Sequence, residues 1–154
     1  MRNILICILC IFLAAPAYAG RLNGRVVGVH DGDTATVISR NEQIKCRLGN
    51  IDAPELHQPF GSRSRQALSR MIYRKPVTID DQGEDRYGRR ICIIYTNQGE
   101  VNRRMVKEGM AWVYVKYNRD PSLQTVEAEA RIAHRGLWRE RNPIPPWEWR
   151  HGSP

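Results

Sequence analysis

Beyond its first nineteen residues the sequence has few cysteines, no internal repeat and no low-complexity segment. The two cysteines that remain there, Cys46 and Cys92, have no CxxC spacing and no neighbouring histidine, which argues against a zinc site. The four histidines are scattered without the spacing of metal ligands. These absences argue against a zinc-organised domain and against a repeat protein.

The sequence has one long apolar run, and it lies at the N-terminus. A basic residue precedes the apolar residues 4–15, which are too few for a permanent membrane span. Small residues follow in the A-x-A pattern at residues 17–19. We therefore predict a signal peptide over residues 1–19, cleaved between Ala19 and Gly20, and a secreted or periplasmic protein.

Acidic residues are in deficit, with 16 Asp and Glu against 24 Lys and Arg. Removal of the signal peptide would leave about 135 residues with a net charge of about +7, the size of one domain. A basic balance favours a polyanionic partner but is weak evidence by itself. We expect one domain over residues 20–141 and an irregular tail over residues 142–154, either a strap or a frayed end.

Hydrophobic periodicity predicts five short strands, and the turn residues between them favour antiparallel connections. One helix should begin at Ser62, after the third strand, and two more should follow the fifth. This order predicts an α+β fold, a five-stranded Greek-key β-barrel with three α-helices. The predicted strands are residues 26–29, 34–39, 43–48, 77–79 and 91–95, and the later helices are residues 101–108 and 123–133.

Four acidic residues stand where the chain leaves a predicted strand. Asp31 and Asp33 follow the first strand, and Asp52 and Glu55 follow the third. If these two strands lay side by side, their loops would converge and offer hard oxygen ligands to a calcium or magnesium ion. Taken alone, the Asp-Gly-Asp segment is an ordinary turn.

Two arginines lie next to these acidic segments in the sequence. Arg47 comes five residues before Asp52, and Arg89 ends the turn over residues 85–88. Planar guanidinium groups bind phosphate oxygens bidentately and stabilise the charge that develops during phosphodiester cleavage. The commoner role of an arginine beside carboxylates is a structural ion pair, and the two interpretations stand together here.

Three motifs, in order and with matching spacing, resemble the staphylococcal nuclease (thermonuclease) family. They are DGDT at residues 31–34, RLGNIDAPE at residues 47–55 and DRYGR at residues 85–89. Weaker similarity extends the resemblance to nearly all of residues 26–138. The resemblance implies an OB-fold barrel that cleaves DNA and probably RNA and leaves 3′-phosphate ends. We expect it to act on exposed single strands and on frayed or AT-rich duplex, because such a barrel cleft accommodates unpaired bases more readily than intact duplex.

The same resemblance implies a Ca²⁺ site and a general base. Asp33 and Asp52 would bind the ion through their carboxylates, and Ala53 would bind it through its backbone carbonyl. Glu55 matches the residue that is usually described as the general base for attack of water on phosphorus.

For the substrate, the resemblance implies that Arg47 and Arg89 bind the phosphate. Tyr87 matches a binding-site tyrosine of the family and could stack on the nucleotide. A second such tyrosine aligns with a valine here, with Tyr114 and Tyr117 on either side. Which of these two phenols contacts the nucleotide stays open.

Two further alternatives remain at this point. A related barrel without catalysis could bind nucleic acid, and a weaker hypothesis is an oligosaccharide-binding barrel, but the complete set of acidic and basic residues favours an enzyme. We expect a monomer. Cys46 and Cys92 could form a disulfide in an oxidising compartment, or they could be buried strand residues that never meet.

Overall fold

The computed structural model describes residues 20–152, so the predicted signal peptide lies outside the described residues. Within that part the chain forms strands, α-helices and one 3-10 helix, Gly136–Arg139. The strands are β1 (Arg21–Val29), β2 (Thr34–Ser39), β3 (Glu42–Leu48), β4 (Ile51–Asp52), β5 (Pro76–Glu84), β6 (Arg90–Thr96), β7 (Gly99–Glu100) and β8 (Trp112–Val113). The helices are α1 (Gly61–Ile72), α2 (Val101–Lys107), α3 (Ser122–Ile132) and α4 (Pro146–Trp149).

Five of the strands form a closed barrel in the order β3-β2-β1-β5-β6. Neighbours pair antiparallel along this order, and a parallel pairing of β3 with β6 closes the barrel. Along β2 and β3 buried residues alternate with more exposed ones, because successive side chains point to opposite faces of a strand. The predicted α+β fold, a five-stranded OB-type barrel with helices, is confirmed.

The assumption that the first and third strands pair side by side was wrong. β1 lies between β2 and β5, while β3 lies between β2 and β6. The two acidic loops still converge, because Asp33 immediately precedes β2 and β2 pairs directly with β3. The backbone N–H of Leu48 donates to the carbonyl of Asp33 over 2.8 Å, which fixes the end of β3 against that loop.

The fourth strand was predicted over residues 77–79, and the observed strand is much longer. This strand, β5, continues through residues that the polar composition indicated as a loop. The register of β5 against β6 shifts between Asp81 and Glu84, and Gly83 has a positive φ of 108° inside this irregular stretch. A bulge thus lets a polar, glycine-containing segment remain in the sheet.

The tail was predicted to contain no further element, and that prediction was wrong for part of it. The tail contains the one-turn helix α4, which begins with Pro146 at its first position, where a missing N–H costs nothing. Of the helices between residues 20 and 152, none is long and apolar enough to cross a membrane. A small apolar cluster between α3, the 3-10 helix and the tail includes Trp112, Ala130, Leu137 and Trp138, with Phe60 and Trp147 packed against it.

Asn102, at the start of α2, fastens this helix to the barrel. Its side chain is fully buried and accepts a hydrogen bond from the backbone N–H of Ile94. Its amide nitrogen donates to the carbonyls of Gly49 and Cys92 at 2.9 and 3.0 Å. The turn that leads from β3 to β4 is therefore held by a polar group whose hydrogen bonds are all made within the protein.

Cys46 on β3 and Cys92 on β6 lie side by side, which excludes the alternative that they never meet. Both are buried, and their Sγ atoms are 2.6 Å apart with both thiols free. The contact with Cys46, together with burial, raises the pKa of the Cys92 thiol.

The disulfide remains a prediction. Because the two sulfurs are neighbours, we expect oxidised protein to contain a Cys46–Cys92 bond. Intact mass spectrometry under denaturing, non-reducing conditions should find a mass lower by two hydrogens and no reaction with a thiol-alkylating reagent. Two alkylated cysteines in oxidised material would show that the bond does not form.

Candidate functional site

Asp33 lies at the end of the loop between β1 and β2, which packs tightly against α1. A Cβ on Gly32 would overlap the side chains of Ser64 and Ala53, so only glycine allows this close approach. The backbone N–H of Asp33 donates to Asp31 Oδ1 over 3.0 Å, which closes the loop. The sequence Asp-Gly-Asp therefore places the second carboxylate inside the molecule, and Asp33 is buried.

The Asp33 carboxylate receives two hydrogen bonds from the chain around it. The backbone N–H of Ala53 donates to Oδ2 over 2.6 Å, and the hydroxyl of Thr34 donates to Oδ1 over 3.2 Å. The first bond links the two acidic loops directly. Burial raises the pKa of Asp33 to about 7, although the charge of Arg47 and the Ala53 N–H act in the opposite direction.

Asp52 is brought to the same place by β4, which pairs with β8 so that Asp52 faces Trp112. Its side chain is only 2% exposed. Two guanidinium groups contact its carboxylate, one from Arg47 and one from Arg150. The nearby negative charge of Asp52 contributes to the raised pKa of Asp33. The two predicted metal ligands thus lie close together on the inside of one loop pair.

Arg47 joins these two carboxylates through a single nitrogen. Its Nη2 lies 2.8 Å from Asp52 Oδ1 and 3.2 Å from Asp33 Oδ2. Its Nη1 donates to the carbonyls of Leu48 and Ile51 at 2.5 and 2.9 Å, so the guanidinium is held on both sides. The structure therefore includes the structural ion pair that sequence analysis offered as one interpretation of Arg47.

Glu55 stands at the mouth of this arrangement. A backbone N–H from Gln58 donates to the Glu55 carbonyl over 2.9 Å, and the Glu55 N–H donates to Gln58 Oε1 over 3.1 Å. Gly61 permits the turn, because a Cβ there would overlap the Glu55 carbonyl. The carboxylate is 38% exposed, and Arg150 Nη1 donates to its Oε1 over 2.6 Å.

Arg89 makes its own ion pair, and within residues 20–152 no hydrogen bond or ion pair joins it to the carboxylates of Asp33, Asp52 and Glu55. Its Nε and Nη2 both lie 2.8 Å from Asp85 Oδ2. Partial burial of Asp85 acts to raise its pKa. Backbone N–H groups of Arg89 and Tyr87, together with the Arg89 guanidinium, outweigh burial and lower the pKa of Asp85. Parallel pairing of Cys46 with Arg90 still places Arg89 at the end of the barrel strand next to β3.

The three predicted substrate tyrosines lie in two places. Tyr87 is 67% exposed on the turn before β6, with the Arg86 and Arg89 guanidinium groups over its ring at 4.8 and 5.5 Å. Tyr114 and Tyr117 follow β8, with ring centroids 4.8 Å apart. The contacts do not decide between these last two phenols, and their role stays a prediction.

Arg150 was missed by sequence analysis, although it makes the most extensive contact with the acidic residues. Nη2 lies 2.7 Å from Asp52 Oδ2, and Nη1 lies 3.3 Å from Asp52 Oδ1. Burial acts to lower the pKa of Arg150. The carboxylates of Asp52 and Glu55 outweigh burial and raise this pKa, so the guanidinium stays cationic. Nothing in the pattern around residue 150 indicated this partner, since the two ends of the pair are far apart in the chain.

The donor set fits a hard divalent cation. Asp33 and Asp52 are buried oxygen donors whose negative charges disfavour one another, and added positive charge would relieve that repulsion. No three Asp, Glu, His or Cys side chains in the described part of the chain form a metal cluster by themselves. An ion here would therefore take two carboxylates and complete its shell from main chain, substrate and water.

The raised pKa of Asp33 leads to a testable pH dependence. The folded protein keeps this proton up to about pH 7, whereas the unfolded chain releases it near 3.8. Between these values the folded state binds the additional proton, so ion-free stability should fall as pH rises and remain low above pH 7. Asp33→Asn should remove this loss.

Urea unfolding in the presence of chelator measures the effect. The stability gained by Asp33→Asn over wild type should be larger at pH 8 than at pH 5, by about 2–3 kcal/mol. The same gain at both pH values would show that Asp33 is ionised throughout this range.

The fold and the site define the class of this protein: an OB-type barrel with a buried carboxylate pair, a bridging guanidinium and a more exposed glutamate at its mouth. The family model described as staphylococcal nuclease homologue matches residues 45–140. This chain belongs to the staphylococcal nuclease homologue family. That membership supports nuclease chemistry and confirms the family resemblance recognised in the sequence.

Several curated relatives match almost end to end. An "Uncharacterized endonuclease" of Escherichia coli O157:H7 is 43% identical over 152 residues, covering 98% of this chain and 99% of its own length. A protein of the same description from Haemophilus influenzae is 41% identical and covers 97% of this chain and 85% of its own length. A "Micrococcal nuclease" of Shigella flexneri is 39% identical over 154 residues, with 93% and 88% covered.

Proposed function

We propose that this protein is an exported, calcium-dependent endonuclease that hydrolyses phosphodiester bonds of DNA and RNA without preference for the sugar. The observation that carries the proposal is the bridge by which one nitrogen of Arg47 contacts both Asp33 and Asp52. Such an arrangement concentrates oxygen donors and a phosphate-binding cation in one place. Similarity to proteins described as nucleases supports the same proposal. The net charge of +8 of the full chain also favours a polyanionic substrate.

Within this proposal Asp33, Asp52 and the carbonyl of Ala53 would hold Ca²⁺. The ion would supply Lewis-acid charge at the phosphate and a template for its oxygens. Hard carboxylate oxygens and a carbonyl are the ligands that calcium takes in proteins.

The remaining residues act on water and phosphate. Glu55 accepts the proton of the attacking water, whose oxygen forms a bond to phosphorus while the bond to the 5′ oxygen breaks. The departing 5′ oxygen takes a proton from solvent water, and the other product has a 3′-phosphate end. Arg47 and Arg89 bind phosphate oxygens and stabilise the negative charge that accumulates. For these roles Arg89 has to exchange its present ion pair with Asp85 for the substrate.

The substrate tyrosines complete the proposal. Tyr87 offers an exposed ring beside two guanidinium groups, where a base could stack. We expect exposed single strands and frayed or AT-rich duplex to be cut fastest, because a barrel cleft accepts unpaired bases more readily than intact duplex. The proposed monomer and its export to the periplasm or the medium rest on the sequence alone.

One assay tests class, cofactor and substrate together. Chain lacking residues 1–19 is incubated with supercoiled plasmid, denatured DNA and RNA, each with calcium, with magnesium and with chelator. We expect cleavage of all three with calcium, denatured DNA being cut fastest, and none with chelator. Asp52→Asn should abolish cleavage, whereas Glu129→Gln, on an exposed position of α3, should not.

Two results would overturn the proposal in different ways. Cleavage that persists in chelator would remove the metal from the reaction. Tight binding of nucleic acid without cleavage under any of the ions would establish the rival function, a binding barrel without catalysis.

A further inference from the structure

The tail, residues 142–152, folds back onto the barrel beyond the end of the family match at residue 140. Gln58 Nε2 donates to the carbonyl of Ile144 over 2.6 Å at its beginning. Trp147 stacks on Tyr114 with centroids 5.4 Å apart and planes 3° from parallel, and it meets Trp112 edge-on at 5.8 Å. These contacts place the next turn of the tail over the mouth of the site.

Arg150, directly after α4, is the group that the tail delivers. It contacts both oxygens of Asp52 and one oxygen of Glu55, at 2.7, 3.3 and 2.6 Å. Among the described residues, Arg150 is the only side chain that forms a hydrogen bond with the Glu55 carboxylate. The tail therefore covers a proposed metal ligand and the proposed base at the same time.

A divalent ion and Arg150 require the same atoms. Asp52 Oδ1 already accepts from Arg47 and Arg150, and Oδ2 accepts from Arg150. An ion bound to this carboxylate would lie only a few ångströms from the guanidinium, where like charges repel strongly in a partly buried site. Glu55, held by Arg150, is also kept from accepting a proton from water.

The tail is attached weakly enough to be displaced. α4 is a single turn, and Arg150 is 37% exposed. Its anchors are one side-chain hydrogen bond from Gln58, the buried ring of Pro146, the packing of Trp147 and the ion pairs themselves. Segments with so few buried contacts open locally at a small fraction of the cost of global unfolding.

We propose that the tail is a latch that competes with the divalent ion for Asp52 and Glu55. Without ion, Arg150 neutralises the carboxylates and the latch is closed. Ion binding releases Arg150 and opens the mouth of the site to a phosphate. Because linkage is reciprocal, the factor by which the closed latch weakens ion binding equals the factor by which the bound ion weakens the latch. This inference rests on the proposed function, since it needs an ion at Asp52.

The test compares Arg150→Gln with Arg141→Gln in the chain lacking residues 1–19. Arg141 is an exposed arginine next to the same segment and has no ion pair within residues 20–152, so its substitution makes the same change in charge. Calcium affinity is measured by titration calorimetry. Hydrogen exchange of peptides that cover residues 142–152 is measured with chelator and with saturating calcium.

We expect Arg150→Gln to bind calcium about 10-fold more tightly than wild type, within the usual range of coupling between sites. Arg141→Gln should match wild type. Calcium should accelerate exchange of the tail in wild type and in Arg141→Gln, whereas in Arg150→Gln exchange should be fast with and without the ion. These results together would support the latch.

Opposite results overturn it. Unchanged exchange of the wild-type tail at saturating calcium, or weaker calcium binding by Arg150→Gln, would show that Arg150 does not compete with the ion. If denatured DNA is still cut with calcium in that case, the latch fails and the nuclease proposal stands. If no divalent ion supports cleavage or binds, the proposed function fails and the latch fails with it.

Discussion

Glu55→Gln should lower kcat on denatured DNA by about 10² to 10⁴, the range typical of losing a general base. The neutral amide cannot accept a proton from water, although it has nearly the same size and shape. The side chain is 38% exposed and its carboxylate contacts Arg150 rather than the barrel core, so folding should not depend on its charge. Single-turnover cleavage with saturating calcium measures the change.

The matched control is Glu129→Gln, the same substitution on an exposed face of α3. It should leave kcat unchanged. Glu55→Gln should also retain calcium binding, because Asp33 and Asp52 remain. Turnover within a few-fold of wild type at saturating calcium would remove Glu55 from the mechanism.

Arg47→Gln should have two separate effects, one on stability and one on rate. In ion-free protein at pH 8, it leaves the buried carboxylates of Asp33 and Asp52 without the cation that bridges them. Breaking a buried ion pair in this way usually costs about 3–5 kcal/mol. With calcium present, loss of a phosphate-binding group should lower kcat by about 10² to 10³.

Urea unfolding with and without calcium separates these effects, and calcium should restore more stability to Arg47→Gln than to wild type. Arg103→Gln is the control, since the Arg103 ion pair with Asp120 is one-third exposed. Such surface pairs contribute about 1 kcal/mol or less. Equal unfolding free energies for Arg47→Gln and wild type in chelator would contradict the structural role of Arg47.

Much of the barrel could be predicted because its strands are long enough to show alternation. The second strand was predicted at its observed bounds, residues 34–39, and the three principal helices were placed to within one residue at each end that was predicted. β4, β7 and β8 have two residues each, too few for any periodicity to be visible. The prediction for β5 was too short, because the polar residues at its bulge resemble a loop in the sequence.

The carboxylate site was predictable for a different reason: its members lie within short motifs. Asp33, Arg47, Asp52 and Glu55 span a short stretch of the chain, and the turn before β2 and the turns around β4 bring them together locally. Arg150 could not be found in this way. Its contact with Asp52 joins residues 98 positions apart, and it depends on how Trp147 packs against Tyr114 and Trp112.

The proposed chemistry requires Asp33 and Asp52 to share one ion, and calorimetric titration of the chain lacking residues 1–19 with calcium tests this directly. We expect one ion per chain for wild type and for Glu129→Gln. Asp33→Asn and Asp52→Asn should each lose most of the affinity, because each removes one of two carboxylate ligands. Undiminished calcium binding by either variant would place the ion elsewhere and contradict a site shared by Asp33 and Asp52.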